Sequence, residues 1–249
     1  MGILIVFTAG MRESPMTTFE DKREAGGKRA VLSVSGGIDS TTLLYKALCD
    51  GLEPFAITFI YGQKHSREID CASTICKRLG VVHKVLDLSP LREVFLGSAL
   101  TDERVEVPEV PETSNYQEAL KSTIVPNRNA IFLSVATGYA VSIGAKIVLF
   151  GAHSSDRGVY PDCRAEFVEA FTIAERIAID DTDFAIRAPF VGMDKRDIVR
   201  LGASLGVPYE CTWSCYKGGE VHCGVCSSCR ERKRAFLEAE VRDPTTYAI

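Results

Sequence analysis

The chain has no apolar run long enough to cross a bilayer, and its apolar start, Met1 to Ala9, lacks the cationic residues that open an export signal. A soluble, cytoplasmic protein is therefore expected. An excess of positive charge is also missing: the formal net charge is −4, which argues against a broad nucleic-acid-binding face. The densest basic run, Arg230 to Arg234, holds four cations and one Glu and reads as a solvated helix face. Two common nucleotide fingerprints are absent. Gly27-Lys28 is followed by Arg29 and precedes a strand, so it is no G-x-x-x-x-G-K-[ST] loop, and no G-x-G-x-x-G follows a strand. No internal repeat is evident.

What is present is organised around Val31 to Leu44, VLSVSGGIDSTTLL. Val31 to Val34 is a short buried strand, Ser35-Gly36-Gly37 a turn, and Asp39 to Thr42 the opening of a helix. Such a turn presents consecutive backbone N–H groups at the positive end of a helix dipole, with the Ser35, Ser40 and Thr41 hydroxyls alongside. It suits an oxyanion such as a phosphate chain. Gly36 and Gly37 let the backbone approach without a Cβ in the way.

Strands and helices then alternate. Helical spacing puts Leu43, Leu44, Ala47 and Leu48 on one face up to Gly51, and Phe55 to Tyr61 is a second strand with Gly62-Gln63-Lys64-His65 at its tip. Ser66 to Leu79 is an amphipathic helix and Val81 to Leu86 a third strand. Leu96 to Val125, with Pro108, Pro111 and little apolar period, reads as a long insertion and a mobile flap. The alternation resumes with a helix from Arg128 to Ile143, a strand over Lys146 to Phe150, a helix from Glu166 to Ile179, a strand over Phe184 to Arg187, and a helix from Asp194 (its N-cap) to Leu205. This is the pattern of an α/β fold with a doubly wound parallel sheet, whose ligand lies across the carboxyl edge of the strands. The expected division is a loose N-terminal extension over 1–28, a nucleotide-binding domain over 29–206 and a C-terminal segment over 207–249. His83 and His153 read as satisfied strand ends, whereas His65, beside the second strand's tip, is a stronger candidate for chemistry.

Nine cysteines in a chain without an export signal point to reduced thiols and metal. Cys223, Cys226 and Cys229 stand at two-residue spacing, close enough to wrap one ion, with Gly224 allowing the turn. The trio is one ligand short of tetrahedral closure. Cys215, across Gly218-Gly219, is the best fourth donor, with Cys211 and His222 as substitutes. Four thiolates leave no open position, so the zinc would be structural. A C-x₂-C-x₂-C run also begins a ferredoxin-type pattern, but its x₃ continuation and Cys-Pro are missing. Cys49, Cys71 and Cys76 read as small core residues, and Cys163 stands apart inside Tyr160-Pro-Asp-Cys-Arg164.

Ser35-Gly-Gly-Ile-Asp-Ser40 resembles the SGGxDS signature of the PP-loop ATP pyrophosphatases. With Tyr61-Gly-Gln-Lys-His65, Val125-Pro-Asn-Arg-Asn129, Tyr160-Pro-Asp-Cys-Arg164, Thr212-Trp-Ser-Cys-Tyr216 and the cysteine trio, the chain resembles the 7-cyano-7-deazaguanine synthase family. That resemblance implies a PP-loop fold, a tetra-cysteine zinc site, a homodimer, and ATP-driven conversion of 7-carboxy-7-deazaguanine and ammonia into the nitrile on the route to queuosine or archaeosine, without direct nucleic-acid binding. It implies an ATP site over Val34, Ser35, Gly36, Gly37, Ile38, Asp39, Ser40, Thr41, Thr42, Leu43 and Leu44, with Asp39 available to Mg²⁺. Lys64, His65, Arg128, Asn129, Asp162 and Arg164 become candidates for the acid substrate and the acyl-phosphate, and Lys195 for a further phosphate contact. Two departures from the family pattern fall on the substrate side: Asn127 stands where glycine is common, and Asp156 to Val159 lacks a Ser-Gly pair. A PP-loop enzyme that adenylates another carboxylate, or one that thiolates tRNA, is the alternative reading.

Overall fold

A computed structural model describes residues 27–64, 66–110 and 120–249. The expected extension over 1–28 lies outside them apart from Gly27 and Lys28, as does His65. Five strands, β1 (Arg29–Ser33), β2 (Glu53–Ile60), β3 (Val82–Asp87), β4 (Ile147–Leu149) and β5 (Ala185–Arg187), form one all-parallel sheet in the order β3-β2-β1-β4-β5. The connecting helices are α1 (Ile38–Cys49), α2 (Arg67–Arg78), α3 (Arg128–Ser142), α4 (Ala165–Ile179), α5 (Lys195–Ser204) and α6 (Ser227–Ala239).

The central strands are covered on both faces, which is why they read as nearly continuous apolar runs, whereas the edge strand β3 is largely exposed. From β1, Ala30 and Leu32 pack on one side with Leu43 and Leu44 of α1, Ile75 of α2, Ile198 of α5 and Phe236 of α6. Val31 points the other way, toward Phe132 and Leu133 of α3 and Val168 of α4. Successive strands are added outward from β1 first on one side and then, from β4, on the other, so the carboxyl ends of β1 and β4 flank the crevice in which open α/β sheets place a ligand. Among the described residues no helix is long and apolar enough to cross a membrane.

Three expectations change. The insertion is not loose in its described parts: Ser98, Ala99, Leu100, Thr101 and Thr123 are buried, Lys64 N–H donates to the Leu100 carbonyl at 3.1 Å, and Val110 N–H to that of Val225 at 3.0 Å. Its weak periodicity reflects backbone pairing with distant segments, not lack of packing. The basic run is only in part a solvated face: Arg234 is exposed, but Arg232 is fully buried. It donates to the Tyr209 carbonyl at 3.0 Å and the Thr212 hydroxyl at 2.8 Å, and it pairs with Asp243 at 3.2 Å. Finally, Cys49 is exposed at the end of α1, while Cys76 and Cys163 are buried.

Candidate functional site

The phosphate turn sits directly beyond β1. Gly36 has φ +88°, and a Cβ there would lie 2.2 Å from the Glu68 carbonyl oxygen and 2.8 Å from the Ala72 nitrogen, so only glycine fits. Ser35 N–H donates to Ser40 Oγ at 3.1 Å and Gly37 N–H to Ser35 Oγ at 3.3 Å, which holds the turn in shape. Gly37 is the N-cap of α1 and has no capping side chain. The first N–H groups of that helix, which have no intrahelical acceptor, therefore face outward at its positive end.

A cavity of about 270 Å³ opens over this turn, lined by Ser35, Gly37, Ile38, Asp39 and Ser40 from below and by the loop after β4, Gly151 to His153, from the side. Lys195 reaches in from the start of α5, which a reciprocal capping box between Asp194 and Asp197 locks in place. Its Nζ lies 2.7 Å from Asp39 Oδ2, 3.3 Å from Glu231 Oε2 and 3.3 Å from His153 Nε2. His153 in turn stands 3.3 Å from Asp156. Burial works to raise the Asp39 carboxyl, but the Lys195 and His153 charges outweigh it and hold the group below its usual range. Asp156, with weaker compensation, is pushed up to about 6 by burial. Burial opposes the charge on Lys195, yet the surrounding carboxylates keep it firmly protonated. Asp39 Oδ1 is buried and accepts no hydrogen bond among the described residues.

The rest of the lining is aromatic and carries one strong cation. Tyr61, Phe132, Tyr160, Trp213 and Tyr216 contribute together with Arg128, whose guanidinium lies 5.7 Å from the Tyr61 ring centre, and the Trp213 backbone N–H donates to the Gly36 carbonyl of the turn at 3.0 Å. Arg128 opens α3 behind Asn127, which takes the left-handed conformation (φ 56°, ψ 19°). Asparagine is among the few residues besides glycine that tolerate that conformation. Asp162 accepts the Asn129 N–H at 3.1 Å, and the Asn129 amide donates to Cys163 Sγ at 3.3 Å.

The structure thus brings Ser35, Gly37, Ile38, Asp39, Ser40, Lys64, Arg128, Asn129 and Lys195 to one cavity. Others lie off it. Val34, Leu43 and Leu44 are packed in the core, Thr41 is fully buried, and Thr42 shares a 3.4 Å contact with the Tyr209 hydroxyl. Gly36 serves by its backbone, Asp162 by capping α3, and Arg164 turns back to the Arg157 carbonyl at 3.0 Å. Sequence reasoning passed over Glu68, Asp156 and Glu231 and read His153 as a satisfied strand end, yet all four line the cavity. The available signal was position: His153 and Asp156 follow β4, across the switch point from the phosphate turn.

Beside the cavity, the Sγ atoms of Cys215, Cys223, Cys226 and Cys229 all lie within 4.8 Å of one another. Cys223 and Cys229 are 3.9 Å apart, near the roughly 3.8 Å edge of a tetrahedron with 2.3 Å metal–sulfur bonds. Cys223 N–H donates to Cys215 Sγ and Cys226 N–H to Cys223 Sγ, both at 3.3 Å. The donor set fits zinc, and neither substitute belongs to it: Cys211 is not in the cluster, and His222 Nε2 accepts the Ser214 N–H at 3.1 Å.

The model of the family described as queuosine biosynthesis protein QueC matches residues 29–240. The chain belongs to this QueC family. A 7-cyano-7-deazaguanine synthase from Archaeoglobus fulgidus is 52% identical over 216 residues, covering 87% of this chain and 89% of the relative. One from Caldicellulosiruptor bescii is 48% identical, covering 89% and 98%. The solved NMN synthetase from Francisella tularensis is a looser likeness, at 16% identity and a TM-score of 0.49 over 89% of this chain and 88% of that one. For a QueC-family chain, the match runs through every element of the sheet, the cavity and the four cysteines.

Proposed function

We propose that this chain is an ATP-dependent ligase that turns 7-carboxy-7-deazaguanine and ammonia into 7-cyano-7-deazaguanine for queuosine biosynthesis. The observation that carries the reading is an amide-lined helix start facing Lys195 and Arg128 across one cavity, in a chain of this family. A carboxylate does not exchange oxygen for nitrogen at neutral pH, because oxide or hydroxide would have to leave. Attack of its oxygen on the α-phosphorus of ATP expels pyrophosphate and makes AMP the leaving group; ammonia then displaces AMP to give the amide. A second adenylation, on the amide oxygen, lets AMP and the amide protons depart as the nitrile forms. The protein's share is positioning and charge stabilisation.

In this reading the turn from Ser35 to Ser40 holds the departing pyrophosphate, Lys195 offsets its charge, and Arg128 with Lys64 meets the acid. The unpaired Asp39 oxygen is the donor a Mg²⁺ ion on the nucleotide would use. The four cysteines would hold a structural zinc with no open position. A cytoplasmic homodimer supplied with free ammonia completes the proposal. Incubation with ATP, ammonium and 7-carboxy-7-deazaguanine should yield the nitrile, AMP and pyrophosphate by mass spectrometry. Unchanged acid beside an active control enzyme, or ADP as the nucleotide product, would overturn it.

A further inference from the structure

We infer that the Glu68 carboxylate recognises the ring of the substrate, accepting two parallel N–H bonds from the ring N–H and the adjoining amino group of a 2-aminopyrimidin-4-one. This rests on the deazaguanine reading above and adds to it the residue that selects the base.

Glu68 is the second residue of α2, and its backbone is held against the phosphate turn where only a glycine at position 36 leaves room. Its side chain lines the same cavity. The other cavity carboxylates have basic partners: Asp39 and Glu231 share Lys195, and Asp156 faces His153. Glu68 has no hydrogen bond or ion pair among the described residues, although Arg128 is near enough to act on it electrostatically. Burial disfavours its ionised form, with the Arg128 charge opposing that, so N–H donors arriving with a ligand would hold it as the carboxylate.

The chemistry of that donor follows from the surroundings. Tyr61, Trp213 and Tyr216 line the same cavity, and Tyr61 is near enough to Glu68 to act on it electrostatically, so a flat ring suits the site better than an extended chain. A carboxylate cannot serve the end of the substrate that is itself a carboxylate, because like charges repel, so Glu68 belongs at the opposite edge of the ring. A 2-aminopyrimidinone presents two adjacent N–H donors there, in the fork arrangement that a carboxylate accepts bidentately. The ribose diol of ATP is the other adjacent donor pair, and the kinetics tell the two apart.

Steady-state kinetics of the full-length protein should be measured with 7-carboxy-7-deazaguanine and with its analogue lacking the 2-amino group, for the wild type and Glu68→Gln. The expected result is a KM for the acid raised about 100-fold by Glu68→Gln, the size of a lost charge-assisted pair, with the KM for ATP within about twofold. Wild type should disfavour the desamino acid by about 10-fold or more, and Glu68→Gln should hardly distinguish the two acids. An increase in the KM for ATP alone, or undiminished discrimination in Glu68→Gln, would overturn the inference. Should that variant fail to fold, equal use of both acids by the wild type overturns it without any substitution. No wild-type turnover of the parent acid would sink the functional reading, and this inference with it.

Discussion

The phosphate turn and the cysteine cluster solve related problems in opposite ways. Both use glycines at positive φ, Gly36 at 88° and Gly224 at 80°, to aim backbone N–H groups at an electron-rich centre. In the turn, a few of those amides are satisfied by local hydroxyls and the helix start is left facing the cavity. In the cluster, the amides of Cys223 and Cys226 donate to the chain's own sulfurs. Cys215, Cys226 and Cys229 are fully buried, whereas Asp39 and Lys195 keep 23% and 14% of their side chains exposed. A site whose acceptor arrives and leaves has to remain open with its charges only partly compensated. A site that only fastens can close.

If that contrast is right, removing metal should cost structure before it costs chemistry, and the largest effect should lie there. Strong chelation or Cys229→Ala should release one zinc per chain, counted by elemental analysis, and unfold the C-terminal segment with a large fall in Tm, because metal binding and folding are one event in such sites. Next comes Arg232→Ala, which removes a fully buried cation from the partly buried Asp243, the Thr212 hydroxyl and the Tyr209 carbonyl and should cost about 3–5 kcal/mol in denaturant unfolding. Equal loss of stability from Lys195→Ala would break the comparison. That change should instead lower kcat by about 10²–10³-fold, with a much smaller stability change, as expected for a positioned charge at a developing anion. Pyrophosphate release is the assay.

The smallest effect is a pH slope. Asp156 is raised from the ordinary carboxylate value to about 6, so the folded state holds a proton that the unfolded chain gives up. Its contribution to stability is complete below about pH 4 and disappears as pH rises through 6. The loss amounts to about 3 kcal/mol for this mostly buried group. Asp156→Asn should flatten that part of the stability profile in thermal melts between pH 4 and 7. An unchanged slope would place the uncompensated charge elsewhere in the cavity.

Much of this architecture was readable along the chain because it is made of neighbours. Strand, turn and helix N-terminus are contiguous in Val31 to Leu44, and three of the four metal ligands fall within seven residues, so local geometry dictates their arrangement. The alternation of apolar runs and amphipathic stretches likewise implies a parallel sheet with both faces covered. The fourth ligand, Cys215, was legible because a glycine pair lets the chain fold back.

Long-range placement was not readable in this way. Arg232 and Glu231 are adjacent in a run of charges, yet one is sealed beneath the C-terminal segment and the other lines the cavity. Residue type cannot distinguish them, because the energy of a charge depends on what surrounds it. Likewise, Glu68 and His153 become site residues only when α2 and the loop after β4 converge on the turn beyond β1. Composition and spacing thus establish which chemical groups the chain owns and which short-range turns it makes. Which buried charges meet, and therefore which stay available to a substrate, depends on partners more than a hundred residues apart, such as Lys195 and Asp39, and only the folded chain brings these together.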